Sequence, residues 1–389
     1  MNNRLQNELT IAVIGAGGRG YSYADVFRNN PRLGRIVAAV DINPERLHSF
    51  SELNRVPEEA RYVSCDDFFA LPKLADAVFI CTMDRLHYEI TMKALDKGYH
   101  VFVEKPMSPD PKQSLEMARK ADETQRILMV GHVLRCTPFF NRVKSLIDSG
   151  RLGDVLSIEL IENVEHIHYS HSYVRGNWGN ESRSSFMLLA KSCHDIDIVH
   201  WLVDKPCIRV SSFGSLTHFK EANAPQGSTA RCGDGCAIER SCPYSAMRIY
   251  IENDGNFGMF REFRDMEKES IFDVLHNSPY GRCVYRADND VVDHQVVIME
   301  FEGGVTVNFS MIGLTKDAGR EIKVFGSKGQ LRGHMHDNRI ELSTYDGDTE
   351  IIHPYLPKSG HGGGDELIVE EFVRIFREAD FKGGRTRAE

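Results

Sequence analysis

The 389-residue sequence has no apolar run long enough to cross a bilayer, no block of lysine and arginine, and only two tryptophans. The first absence excludes a membrane-spanning helix, which needs roughly twenty consecutive apolar residues. The second, together with a formal net charge of −9, removes the electrostatic footprint that nucleic acid or an anionic membrane demands. The polar start, Met1 to Glu8, lacks the apolar core of a signal peptide. Nine cysteines are an odd number, and without an export signal they are expected to be reduced thiols in the cytoplasm. No internal repeat and no low-complexity linker interrupts the chain. What remains is an ordinary globular composition, 41% hydrophobic and 26% charged, over a length sufficient for two cores.

The most informative stretch is Gly15-Ala16-Gly17-Gly18-Arg19-Gly20, read with Asp41. An apolar run, Ile11 to Ile14, precedes the glycines and a helix-competent segment follows. A second run, Ile36 to Val40, ends in Asp41. Strand, glycine turn, helix, strand and terminal acid at this spacing make a dinucleotide fingerprint. Gly15 suits the tight turn, Gly17 lets backbone approach a pyrophosphate, and Gly20 lets the helix pack close to the strand. Free N–H groups at the helix start would face the phosphates. Asp41 is suited to accept hydrogen bonds from ribose hydroxyls and to repel a 2′-phosphate. NAD is therefore expected over NADP.

Through residue 133 short apolar runs near 10–14, 36–41, 77–82, 100–104 and 127–131 alternate with helical patterns near 18–29, 44–53, 86–97 and 110–124. Such alternation predicts a parallel, doubly wound sheet. Residues 134–389 change character. A helix over 137–149 and a long helix from about Ser184 to Val203 accompany strand-like runs at 155–160, 207–218, 283–287, 292–302, 304–312, 320–326 and 338–344. The expectation is an α+β domain with a large, mostly antiparallel open sheet, a polar insertion at about 219–282, and a final amphipathic helix at 365–379. An exposed sheet face of this size predicts a homodimer or homotetramer.

Glu104-Lys105-Pro106 closes a strand-like run, and His194-Asp195-Ile196-Asp197 leads to Trp201-Leu202. With the glycine turn, with Ile80 to His87 and with Gly131 to Arg135, this combination resembles the glucose–fructose oxidoreductase / inositol dehydrogenase / MocA (Gfo/Idh/MocA) family. The resemblance covers nearly the whole chain. It implies a Rossmann domain followed by an α/β domain with an open antiparallel sheet, often used for oligomer contacts. It also implies hydride transfer between a nicotinamide and a secondary alcohol of a sugar or cyclitol. Gly15, Gly17, Gly18, Arg19, Gly20, Asp41, Thr82, His87, Glu104 and Lys105 become the expected cofactor residues. Lys105 is the expected hydrogen-bond donor to the reacting oxygen. His194, an imidazole suited to exchange protons near neutral pH, is the expected base, with Asp197 one turn on.

Many family members place an acid four residues before that histidine. Here Ala190 stands there and Lys191 follows. Lys191, at i and i+3 with His194, is expected either in the substrate site as a third catalytic group or on the helix exterior paired with Asp195. Arg135, Trp178 and His361 are the remaining expected substrate contacts. Trp178 has core packing as its alternative, and Asp365 behind His361 has helix capping. The missing acid, Lys191 and the long insertion keep two other readings open. One is a glycoside-cleaving enzyme that retains NAD, and the other a non-catalytic NAD-binding regulator. His166, His168 and His171 alternate as a strand or loop would, and no metal is assigned to them. Cys232, Cys236 and Cys242 are one short of a structural zinc set at longer spacings than usual. Cys283 or His218 would complete it, and the alternative is reduced thiols packing a small lobe.

Overall fold

The computed structural model describes residues 8–252, 268–355 and 361–381. The part of the polar insertion at 253–267 lies outside them. The chain divides after Pro138 into two compact units, and its C-terminal segment belongs to the first.

The first unit is built on a parallel sheet of β1 (Thr10–Ile14), β2 (Arg35–Val40), β3 (Arg61–Tyr62), β4 (Ala77–Ile80), β5 (His100–Val103) and β6 (Leu128–Val130). Its strand order is β3-β2-β1-β4-β5-β6, the doubly wound order whose direction switches between β1 and β4. The strands are short, β-branched and apolar on both faces because helices cover both faces. Local signals start those helices. Gly17 leads into α1 (Gly18–Asn29). Asn43 caps α2 (Pro44–Asn54) by accepting from Arg46 N, with proline in the first turn. Ser64 caps α3 (Cys65–Ala70), and Asp110 caps α5 (Pro111–Thr124) in the same way as Asn43. Between them α4 (His87–Asp96) crosses from β4 to β5.

One face of the sheet packs Ala12, Ile14, Val78, Ile80, Val101 and Val103 against α4 and α5. The other buries Ile11, Val13, Phe79 and Phe102 under α1 and under a helix from the far end of the chain, α9 (Gly364–Phe381). Phe372 of that helix sets its ring edge-on to Phe79 at 5.2 Å and to Phe102 at 6.1 Å. The division at 133/134 therefore needs one correction: the amphipathic helix expected in the second domain completes the core of the first. Its periodicity foretold a buried face but not which core that face would meet.

The second unit holds α6 (Pro138–Asp148) and an eight-stranded sheet ordered β14-β13-β12-β11-β7-β10-β9-β8. In chain order these are β7 (Val155–Asn163), β8 (Cys207–Ser215), β9 (His294–Phe301), β10 (Thr306–Ile312), β11 (Gly319–Gly326), β12 (Gly329–His334), β13 (Arg339–Thr344) and β14 (Thr349–Ile352). Every pairing is antiparallel except β7 with β10. Alternation along β9, β10 and β11 buries one face, including Val297, Met299, Val307, Phe309, Ile322 and Val324. The other stays open, with Val296 and Ile298 exposed beside Phe213 of the edge strand β8.

The long helix expected over 184–203 is two helices, α7 (Met187–Ala190) and α8 (Cys193–Val203). The hydrogen-bond ladder slips between them. Met187 O accepts from both Lys191 N and Ser192 N, and Ser192 O then accepts from Asp195 N and Ile196 N. Lys191 and His194 are therefore not partners on one helical face, which corrects the basis on which they were paired. The run at 283–287 is not a strand either; beside it Arg282 makes an isolated bridge to Arg231.

Candidate active site

The sequence-predicted site residues fall into two sets, one in each unit. In the first, the turn after β1 is held by a backbone hydrogen bond at Gly15 and by the Asp41 carboxylate on Ala16 N. Gly15 donates to Val40 O at 2.8 Å and sits at φ +97°. A Cβ there would lie 2.6 Å from Cys81 O, so only glycine fits. A Cβ at Gly20 would strike the Gly15 carbonyl. Gly18, by contrast, has open space around it, and a Cβ at Gly17 would meet only Arg46 Nη1 at an uncrowded 3.8 Å. Crowding thus explains two glycines, and an approach left clear at the start of a twelve-residue helix explains the other two.

Asp41 is buried at the end of β2. Its Oδ2 accepts from Ala16 N and its Oδ1 from Asn43 N, both at 2.8 Å. Each oxygen keeps a lone pair for another donor. Arg46 reaches the same carboxylate, Nε to Oδ1 at 3.5 Å. This basic neighbour is separated by one helical turn rather than by adjacency, so reading the residues directly after Asp41 missed it.

Glu104 is fully enclosed. Its Oε1 accepts from Arg19 Nε at 2.6 Å and from the Tyr23 hydroxyl at 2.5 Å, while Oε2 accepts from Lys105 N at 3.1 Å. Burial works against its charge, yet Arg19 and Lys105 hold Glu104 below the usual carboxylate range. Arg19 also donates to Asp365 at 2.9 Å. Burial likewise opposes the Asp365 charge, and Arg19 with His361 pulls that carboxyl well below its ordinary value. His361 Nδ1 stands 3.0 Å from Asp365. Arg19, Glu104 and His361 thus meet one another's ion network in this structure. His87 is fully buried, with its ring nitrogens on Pro106 O at 2.7 Å and Thr82 O at 3.1 Å, so it fixes the turn after β4 to the peptide after Lys105. Lys105, joined to the following Pro106 by a cis peptide bond, is half-buried at the carboxyl edge of β5. Arg135 is half-buried in a short turn, Val133–Cys136, next to β6.

In the second unit His194 is buried in the first turn of α8, and Asp195 beside it is wholly buried. Arg320 of β11 grips Asp195 with Nε at 2.6 Å and Nη2 at 3.3 Å, and reaches Glu162 of β7 at 2.7 Å. Lys191 pairs with Glu162 at 3.1 Å and is largely buried. The carboxylate that meets Lys191 thus comes from β7. The exterior pairing of Lys191 with Asp195 is not what forms. Burial, with the like charge of Glu162, pushes Asp195 up to about 6 against the pull of Arg320. Trp178 is half-buried, its ring 6.4 Å from Tyr173. The three histidines go separate ways: His166 to Thr315 O, His168 against Tyr173, and His171 stacked on Tyr280 at 4.7 Å. Glu162, Arg320 and Tyr23 carry no motif, and only the burial of alternating strand positions in β7 and β11 hinted at the first two.

Family models match both units. Residues 9–132 fit the oxidoreductase family with an NAD-binding Rossmann fold, and residues 140–332 fit the GFO/IDH/MocA C-terminal domain. The chain belongs to the Gfo/Idh/MocA family. Among the relatives of this Gfo/Idh/MocA protein, YteT of Bacillus subtilis (strain 168), provisionally named an oxidoreductase, is 23% identical over 86% of this chain and 81% of its own. Inositol 2-dehydrogenase of Corynebacterium glutamicum (strain R) is 25% identical, but over 53% of this chain and 57% of its own length. Among solved structures, the WlbA dehydrogenase from Bordetella pertussis, in complex with NADH and UDP-GlcNAcA, has a TM-score of 0.67 at 17% identity, covering 96% of this chain and 89% of that one. An oxidoreductase from Agrobacterium radiobacter, in complex with NAD+, L-tartaric acid and magnesium, has a TM-score of 0.68 at 16% identity over 97% and 90%. The protein is an NAD-binding oxidoreductase of this family. The crowded Gly15 and Gly20, the open Gly17 and Gly18, and the available lone pairs of Asp41 fit that cofactor. No helix among the described residues is long and apolar enough to cross a membrane.

Proposed function

We propose that the protein transfers hydride between NAD and a secondary alcohol of a sugar, a sugar derivative or a cyclitol. The observation that carries this reading is Lys105 itself, half-buried directly after a clamped, buried glutamate at the carboxyl edge of a Rossmann sheet. Open α/β sheets bind ligands at that edge. Bound there, NAD supplies a hydride acceptor. In this reading Gly17, Gly18 and Asp41 hold the dinucleotide. The Lys105 ammonium donates to the reacting oxygen and steadies negative charge developing on it. His194 takes the hydroxyl proton as a general base. Glu162 and Arg320 fix the local field around His194 through Lys191 and Asp195, and Trp178 offers a ring for the apolar face of a sugar. The open sheet face bearing Phe213, Val296 and Ile298 supports assembly into a homodimer or homotetramer.

The test is a panel of monosaccharides, inositols and glycosides with NAD⁺. Net NADH with a free sugar or cyclitol supports the reading. Release of a glycosidic leaving group without net NADH would replace it with a redox-cycling glycosidase. NAD binding with neither outcome would leave a regulator.

A further inference from the structure

Four cysteines, distant in sequence, line one small cavity in the second unit: Cys232, Cys236, Cys242 and Cys283. The backbone brings them there. Cys232 N donates to Gly281 O and Cys283 N to Ala230 O, on either side of the Arg231–Arg282 bridge. That register puts the side chains of residues 232 and 283 on one face as diagonal neighbours, within reach of each other. Cys236 and Cys242 come from the loop between, where the N–H groups of Glu239 and Cys242 turn back on Cys236 O and Ile238 O. Cys232 and Cys236 have three residues between them, inside the spacing that structural zinc ligand pairs use, while the Cys236–Cys242 interval is longer. His218, the other candidate fourth ligand, instead packs against Phe219 and meets the Tyr285 hydroxyl at 3.3 Å.

A second observation points to a negatively charged occupant. Arg175 is 3% exposed and extends into this cavity. Its Nε donates to Arg282 O at 2.8 Å and its Nη2 to Tyr244 O at 2.6 Å and towards Cys232 Sγ at 3.8 Å. Its Nη1 has no hydrogen-bond partner, and among the described residues no carboxylate pairs with it. A buried guanidinium without a counter-charge is costly. Four neutral thiols do not supply one. A divalent cation held by four thiolates carries a net charge of about −2, and Arg175 stands where that charge would be. Ala246 N, 3.4 Å from Cys232 Sγ, is a further donor of the kind that surrounds metal thiolates.

We propose that Cys232, Cys236, Cys242 and Cys283 form a structural zinc site with Arg175 as its buried counter-charge. The sulfurs line the cavity without standing in a ligating set among the described residues. Side-chain rotation draws them to about 2.3 Å from the metal, and binding releases the thiol protons. The zinc then ties the loop at 228–245 to Cys283 and, through Arg175, to the segment that leads into Trp178. The proposal is independent of the redox reading.

The test uses the full-length protein purified without chelator. Elemental analysis after dialysis should return one zinc per chain, and a mercurial that takes thiolates should release it stoichiometrically. Cys236→Ser and Cys283→Ser should each lose the zinc while the first unit still binds NAD. Should those variants fail to fold, the unmodified protein grown in cobalt gives a second measure, through the intense visible bands of tetrahedral cobalt bound by four sulfurs. Absence of stoichiometric metal with four freely titrating thiols would overturn the proposal. So would full zinc retention in both variants, a cobalt spectrum without sulfur ligation, or iron with acid-labile sulfide.

Discussion

Each unit sets a buried ion cluster behind its candidate catalytic residue, and the two clusters are charged differently. In the first, one arginine, Arg19, serves two carboxylates, Glu104 and Asp365. In the second, two cations, Arg320 and Lys191, serve Glu162 and Asp195. The first cluster holds its acids more firmly ionised, because Lys105 adds to the pull of Arg19 on Glu104, His361 adds to it on Asp365, and the Tyr23 hydroxyl donates to Glu104 as well. In the second, Arg320 is shared by two acids packed side by side, and Asp195 is pushed up to about 6. How tightly a buried carboxylate keeps its charge follows the opposite charges that face it, set against burial and any like charge packed beside it.

The largest effect should come from the residues these clusters support. Lys105→Ala and His194→Ala are each expected to cut turnover by about 10²–10⁴-fold while NAD still binds, as measured by steady-state rates and cofactor titration. Near-normal turnover in both would end the proposed mechanism. Lys191→Ala, which removes one of two cations from Glu162, should rank below both.

Breaking the clamps should separate the two units by pH. Arg19→Met and Arg320→Met each take an ion-pair partner from two buried carboxylates and should cost about 3–5 kcal/mol at neutral pH. An acid whose folded value is raised loses stability as pH rises from its ordinary value of 3.8 through about 6. Mild acid, near pH 5, should therefore restore part of the Arg320→Met loss, since Asp195 takes up a proton. Arg19→Met takes the main pull from Glu104 and Asp365, but Lys105 and Tyr23 still face Glu104 and His361 still faces Asp365, so it should recover less over the same range. Equal recovery in denaturant unfolding at the two pH values would erase the distinction.

Asp41→Ala should weaken NAD by about 1.5–3 kcal/mol, the worth of hydrogen bonds to a charged group. It should also narrow the preference over NADP, because Arg46 stays beside the vacated position. Cofactor titrations of Asp41→Ala and of the double variant with Arg46→Ala check this; an unchanged preference in the single variant would remove Asp41 from cofactor choice.

The smallest effect concerns one histidine in each unit. Burial, then Arg126 and Lys73, lowers His100 to about 4, and burial with Arg175 lowers His171 to about 3. A depressed histidine contributes stability above its ordinary 6.5, which is lost as pH falls through these values. His100→Gln and His171→Gln should each flatten the acid slope by at most about 1.4 kcal/mol per pH unit. Slopes identical to the unmodified protein would mean that neither ring is held neutral.

Local patterns made most of the first unit legible. The glycine spacing placed α1, and apolar runs placed five of its six strands to within two residues. The two-residue β3 carries too few residues to show a period. Lys105 and His194 were legible because their motifs are contiguous. Their supports were not, because Arg19 meets Asp365 and Arg320 meets Asp195 across separations of 346 and 125 residues. No local pattern encodes such pairings. The gap between α7 and α8 was hidden for a different reason: Leu189 to Cys193 contains no proline or glycine, and the ladder slips under tertiary packing.

The return of α9 to the first sheet sets an order of events during synthesis. Phe79 and Phe102 emerge from the ribosome early, yet the ring that covers them, Phe372, emerges last. The nucleotide unit therefore waits, with part of its core wet, while the entire second unit is made and folds. Shortening the chain before Gly364 should damage the N-terminal unit first, leaving the eight-stranded sheet the more intact half.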